Sequence, residues 1–400
     1  MVCGKLRCKL LLWFIVLSPC VLEAKTFTDV DGSKIEATIT KVADDKVTLL
    51  VDKDGKQYDV PFRILTPEDL KFVKQWAKNR SVPKKKNPNK TIEAKHNFDE
   101  PWPDLVSIDL DIEIEIAEED AEKKRFVYHS PNYQFICDVR LSKNVVKKFA
   151  TLFEATREYC RLLPIASMKA HVPGAQFRNK ILLFETKATY VKNGGPPSSA
   201  GVYRSRGNQG IVMVPLSSLG VKKVGSGYMY DYGGENKVLP HELTHQLTDF
   251  EYYRPGSRGW FSEGLAEYVA VTPYRSGKYK VRSNLSAIRA YATEYGKKGR
   301  GGRALGDEIV APNLQDYMMQ SYGKFTENAN FNYGLGLLIT YYYFHMEEDK
   351  SNIVNFLKAL KKGKRGGEAL NVLLNGRSWD EMEEQISKAW RSRGVKITFK

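Results

Sequence analysis

Hydrophobic and polar residues alternate with a period of two through much of the first half of the chain, then recur at three- and four-residue spacing through most of the second. The first spacing is that of strands with one buried face, the second that of amphipathic helices. The segments "KIEATITKV", "KVTLLVD" and "QYDVPF" alternate, with turns at "VDGS", "ADD" and "DKDG" between them. They predict three short strands in a meander. "TPEDLKFVKQWA" then opens a helix, with Thr66 as its cap and Pro67 at its first position. Residues 25–79 are therefore expected to form a small β-barrel-like module, and the polar, proline-punctuated residues 80–103 a linker.

From residue 104 the alternation resumes. "VSIDLDIEIEIA", "FVYHSPNYQFICDV", "KILLFE" and "QGIVMVPLSS" read as strands. Among them "SKNVVKKFATLFEATREYCRLL" has helical spacing, with Ser142 able to cap it. After Pro240 the pattern is mainly helical: "PHELTHQLTDF", "WFSEGLAEYVAV", "NLSAIRAYATEYG", "NYGLGLLITYYYFHM", "NIVNFLKALKK" and "WDEMEEQISKAW". Strands first and helices later predict an α+β domain over residues 104–400, and no internal repeat is visible.

Composition changes this picture at the start of the chain. Residues 1–24 combine Lys5 and Arg7 with the apolar run "KLLLWFIVLSPCVLEA" and end on Ala24, the pattern of a cleaved secretory signal. Secretion or a periplasmic location is the expectation, with a lipid anchor at Cys20 as the alternative. No second apolar run is long enough to span a membrane. Three of the 5 cysteines fall in this leader, leaving Cys137 and Cys160, which would either pair in an oxidising compartment or sit as buried thiols on a strand and a helix. The net charge of +15 favours anionic partners such as envelope polymers. The basic clusters "PKKKNPNK", "YGKKGRGGR" and "KKGKRGG" are scattered and lack interleaved aromatics, so they read as solvated surface and not as a nucleic-acid groove.

The candidate chemistry lies in "LPHELTHQLTDFEYYRPGSRGWFSEGLAEY". Pro240 suits a first helical turn, and His241 and His245, four apart, share one helical face. Two imidazole nitrogens can then meet one metal ion at about 2 Å. Glu242, rotated around the helix from its neighbour, is placed to act as general base on a water without becoming a ligand. A catalytic zinc needs a third protein ligand and one open position, and Glu263, on a helix folded back by "DFEYYRPGSRG", is the candidate. Glu267, one turn further on, can accept a proton from a ligand histidine, or remain an exposed helical carboxylate. His96 lies in the linker, and His129, His171 and His345 have no ligand-spaced partner and read as structural.

Two resemblances rest on these residues. "TFTDVDGSKIEA", "VPFRIL" and "TPEDLKFV" make residues 25–79 resemble the first homology domain of the endocytic adaptor Sla-one, an SH3-like fold. That implies a protein or envelope ligand for the module. "HELTH", seventeen residues, then "EGLAEY" resembles the gluzincin zinc metallopeptidases, the peptidase-MA-like secreted bacterial proteins more than the aminopeptidases. The loop is one residue shorter than in the aminopeptidases of that class. The resemblance implies a zincin-like domain, a Zn2+ cofactor, a protein or peptide substrate and His241, His245 and Glu263 as the metal ligands. It further implies a transition-state donor at Tyr333, in a "Y-x-x-G" seventy residues after Glu263, and a substrate-pairing strand, for which "GIVMVPLSS" is the candidate. The aminopeptidase amine-binding signature is missing, which leans the expectation toward an endopeptidase. The alternatives are a catalytically inactive zincin-fold binding protein of the envelope and a metallohydrolase acting on cell-wall glycan-peptides.

Overall fold

The computed structural model describes residues 25–43, 45–51, 57–80, 97–174, 177–205, 210–231, 237–253, 259–294 and 302–400. The expected leader, most of the linker with His96, and two stretches of basic residues lie outside them. The chain divides into two compact units, Met1–Ile92 and Glu93–Lys400.

In the first unit, β1 (Lys25–Thr28), β2 (Lys34–Val42), β3 (Lys46–Val51) and β4 (Gln57–Pro61) form an antiparallel meander in that order, followed by helix α1 (Pro67–Arg80). Alternation sends Phe27, Ala37, Ile39, Val47, Leu49 and Val51 to one face, where Leu65 and Val73 close a small core. Asp29 makes the first turn by accepting from the N–H groups of Asp31 and Ser33 at 3.0 and 2.8 Å. The expected barrel does not close. Among the described residues β4 pairs with β3 alone, and only an isolated Asp29–Leu65 bridge links the two ends of the sheet. Pro61 ends β4 without an N–H to donate, and the chain turns away through Phe62–Ile64. Asp69, buried in the first turn of α1, accepts from Thr28 N at 2.7 Å and Thr66 Oγ1 at 3.1 Å and pairs with Lys25. It thereby ties the helix to the sheet.

The second unit is α+β. It begins with β5 (Leu105–Ser107), β6 (Glu115–Asp120), β7 (Arg125–His129) and β8 (Tyr133–Cys137), then helices α2 (Lys143–Leu162) and α3 (Met168–His171). Next come β9 (Asn179–Phe184), α4 (Lys187–Lys192), β10 (Val202–Arg204), β11 (Ile211–Pro215) and the hairpin β12 (Val221–Val224) and β13 (Gly227–Tyr230). The main sheet has the order β10-β11-β9-β8-β7-β6, with β8, β9 and β11 parallel and the outer strands antiparallel. Helix α2 is capped by Ser142 and stacks Phe149 and Phe153 edge-on against Phe135 of β8, with centroids 5.2 and 5.0 Å apart. "VSIDLDIEIEIA" is not one strand: its start is β5, its end is β6, and the two serve different sheets. Ile112 and Ile114 between them remain buried, so the alternation persists where the ladder does not.

The helical half follows: α5 (Val238–Leu247), α6 (Trp260–Val271), β14 (Tyr274–Arg275), β15 (Lys278–Lys280), α7 (Leu285–Thr293), β16 (Glu308–Ala311), α8 (Leu314–Met319), α9 (Tyr322–Glu327) and α10 (Ala329–Tyr341). After a π-helical turn at Tyr342–Met346 come α11 (Ser351–Lys361), α12 (Gly366–Leu374), α13 (Trp379–Arg391) and β17 (Lys396–Phe399). Helix α6 is buried along its whole length, a central rod between α5 and α10. A Cβ on Gly264 would lie 2.5 Å from Gly336 O, and one on Gly336 would lie 3.0 Å from Trp260 O. Two glycines thus let the backbones of α6 and α10 touch. Cys137 and Cys160 are unpaired thiols on β8 and α2, and burial pushes the pKa of each up to about 12. No helix among the described residues is long and apolar enough to cross a membrane.

Candidate metal centre

Helix α5 carries Pro240 in its first turn, where a missing N–H is tolerated. One turn brings His241 and His245 onto the same face, both buried, with rings 4.7 Å apart and nearly perpendicular. Their Nε2 atoms are 3.1 Å apart. Helix α6 begins after Gly259, whose φ of +92° suits glycine, and a Cβ there would press on the Phe325 ring at 2.8 Å. This start places Glu263 in the first turn, with Oε2 at 3.2 Å from both histidine Nε2 atoms. His241, His245 and Glu263 form the one group of metal-ligating residue types found converging among the described residues.

The donor set fits a tetrahedral ion. Ligands about 2 Å from such an ion stand roughly 3.3 Å from one another, and these three stand 3.1, 3.2 and 3.2 Å apart. The far side of each ring is already engaged. His241 Nδ1 is 3.0 Å from Glu267 Oε1, and His245 Nδ1 is 3.0 Å from Tyr253 Oη. With Nδ1–H donating outward, each Nε2 presents a lone pair to the same point as a carboxylate oxygen. Three lone pairs so close call for a cation. The electrostatics agree: burial opposes charge on His241, yet Glu263 and Glu267 push its pKa up to about 10. Burial likewise opposes charge on Glu263, and the two histidines hold its carboxyl far below the usual range. The pocket asks for positive charge, which a divalent ion supplies as well as a proton does.

Each ligand has its own support. Tyr322, opening α9, donates to Glu263 Oε1 at 3.0 Å, leaving Oε2 to face the histidines. Glu267 is buried, and its acidity is held near a pKa of about 2 against burial by His241 and Arg303. Tyr333, in the first turns of α10, stacks on the His241 ring at 5.9 Å and 16°. Burial, followed by Glu263 and Tyr322, raises its hydroxyl pKa well above the ordinary tyrosine value, so it is a protonated donor at neutral pH. Glu242 is half-buried beside His241, and its Oε2 accepts from the backbone N–H of Tyr203 at 2.6 Å.

The structure therefore brings His241, His245, Glu263, Glu267 and Tyr333 together, with Glu242 at their side. It moves one expectation. "GIVMVPLSS" forms β11, an inner strand between β10 and β9, whereas the strand that reaches Glu242 is the sheet-edge β10. Three residues are too few for alternation to reveal β10. Sequence reasoning also missed Tyr203, Tyr253, Arg303 and Tyr322. Tyr253 lies in the segment read as a turn, and Arg303 ends a basic cluster read as solvated surface. In the "KKGKRGG" cluster, Lys361 similarly turns inward, onto buried Asp249. The remaining described histidines have structural partners: His129 faces Glu115 and Gln134, His171 faces Ser167 O, and His345 faces Tyr268. Compared with models of known protein families the chain matches none, and no curated protein matches it.

Proposed function

We propose that the chain is a secreted or periplasmic zinc-dependent metallopeptidase of the gluzincin kind, with an N-terminal module that binds a protein or envelope component. The observation that carries this reading is the convergence of His241 Nε2, His245 Nε2 and Glu263 Oε2 to within 3.2 Å of one another, with Glu242 alongside. Two imidazoles and a carboxylate suit zinc better than magnesium or calcium, which prefer all-oxygen cages. A zinc ion bound there supplies Lewis acidity, lowering the pKa of a water and polarising a carbonyl. The chain supplies the rest. Glu242 takes the proton of the water and returns it to the leaving amine. Tyr333, protonated, donates to the oxygen that gains negative charge. The short edge strand β10 offers backbone groups along which an extended peptide can lie. A mixed sheet beside a helix pair that carries the ligands is the arrangement expected of a zincin.

The reading is tested by metal content and by one substitution. Purified protein should contain one zinc per chain. Glu242→Gln should keep that zinc and lose at least about a hundredfold in peptide hydrolysis, the scale of general-base contributions. Protein without zinc, or a variant with full activity, would refute it. Stoichiometric zinc without cleavage of a broad peptide library would favour the inactive binding protein, unless cell-wall fragments are cut instead, which would reassign the substrate to glycan-peptides.

A further inference from the structure

We propose that Arg303 is a positioning residue of this centre: it fixes the carboxylate of Glu267 behind the ligand His241 and holds the ring of Tyr333 beside it. The assignment rests on the metal-centre reading above. Arg303 meets Glu267 fork to fork, Nη2 to Oε1 at 2.8 Å and Nε to Oε2 at 3.1 Å. The same Oε1 stands 3.0 Å from His241 Nδ1. The guanidinium carbon lies 4.8 Å from the Tyr333 ring centroid, and that ring stacks on His241. His241, Glu267, Arg303 and Tyr333 thus close a circuit in which a metal ligand and the candidate transition-state donor share one fastening.

The backbone is built to deliver this side chain. Arg303 N donates to Tyr291 O of α7 at 2.7 Å, and Arg303 O accepts from Asn330 Nδ2 of α10 at 2.6 Å. The preceding residue must be small, since a Cβ on Gly302 would lie 2.7 Å from Tyr291 O. Helices α6, α7 and α10 all converge on this one residue. Desolvating a guanidinium is costly and is offset only by good geometry, and the side chain is 20% exposed against 4% for Glu267. The physical role follows. With both oxygens gripped by the guanidinium, the Glu267 carboxylate is held where Oε1 meets His241 Nδ1, which fixes the ring orientation and aims Nε2 at the point shared by His245 and Glu263. Lysine lacks the planar fork that meets the two carboxylate oxygens in parallel, and it has no flat face to present to Tyr333.

The test compares Arg303→Gln and Arg303→Lys with Arg377→Gln. The Arg377–Glu347 pair is similarly buried, at 19% and 3%, and touches none of these residues. Zinc affinity is measured by chelator competition, coordination by the absorption spectrum of the cobalt-substituted protein, and folding by thermal unfolding. Arg303→Gln should weaken zinc binding by about ten- to a hundredfold, the range seen when a ligand's supporting partner is removed. It should also change the cobalt spectrum, and added guanidinium ion should restore part of the affinity. Arg377→Gln should lower thermal stability and leave zinc affinity and the spectrum unchanged. Should Arg303→Gln not fold, Arg303→Lys carries the comparison, with an expected weakening of the same sign. Wild-type protein that binds zinc, with a constant and spectrum shared by the Arg303 variants, overturns this assignment alone. Wild-type protein that binds no zinc overturns both it and the reading on which it rests.

Discussion

At the scale of single residues, the candidate centre is a set of three converging donors, each restrained from behind by a chemically different partner. His241 leans on a charged pair, His245 on the hydroxyl of Tyr253, and Glu263 on the hydroxyl of Tyr322. Tyr322 holds Oε1 and so leaves a single carboxylate oxygen, Oε2, facing the two histidines. Tyr322→Phe is expected to fold normally and to weaken zinc binding by about tenfold; a chelator titration that returns the wild-type constant would refute the role. What the sequence makes legible here, and what it hides, follows from distance along the chain. His241, Glu242 and His245 lie within one helical turn, where spacing alone fixes which side chains share a face. Glu263 needs only the added expectation that two neighbouring helices fold back. Tyr253, Arg303 and Tyr322 reach the site through tertiary packing, for which a lone sequence carries no period.

At the scale of elements, Gly264 and Gly336 set the separation of α6 and α10, and therefore of Glu263 from Tyr333. A methyl group at Gly264 would meet Gly336 O at 2.5 Å, backbone that cannot swing aside as a side chain would. Gly264→Ala should cost about 1–3 kcal/mol of stability, the range for overpacked cores. It should also lower activity by more than the loss of folded protein explains; calorimetry paired with assays on the folded fraction checks both. The long helices were legible because three or more turns of apolar spacing are hard to mistake, as in α2, α11 and α13. The short ones, α3, α4, α8 and α9, offer too few repeats, and α12 went unread behind the glycines and basic residues that precede it. Among strands, the alternation of "VSIDLDIEIEIA" is split between two sheets, because a period of two reports which way side chains point and not which strand lies alongside.

At the scale of the molecule, the α+β division of the second unit was readable from the change of period near Pro240. Barrel closure of the first unit was not, because closure depends on whether the end strands meet. Acid sensitivity also belongs to this scale. His345, in the π-helical turn after α10, has Nε2 at 2.8 Å from Tyr268 Oη, and burial, with Lys350 nearby, lowers its pKa from 6.5 to about 4. The unfolded chain binds that proton more readily than the folded one, so this contribution is complete above pH 6.5 and is lost as pH falls toward 4. Urea midpoints measured across this interval should fall for the wild type and fall less steeply for His345→Gln. Finally, the order of residues gives the centre a history. Its three metal-facing atoms are all present once the chain has reached Glu263, while Arg303, Tyr322 and Tyr333 follow 40, 59 and 70 residues later. A growing polypeptide owns the cage before it owns the bolts, so any ion held there before residue 333 has emerged would sit without the contacts of Arg303, Tyr322 and Tyr333.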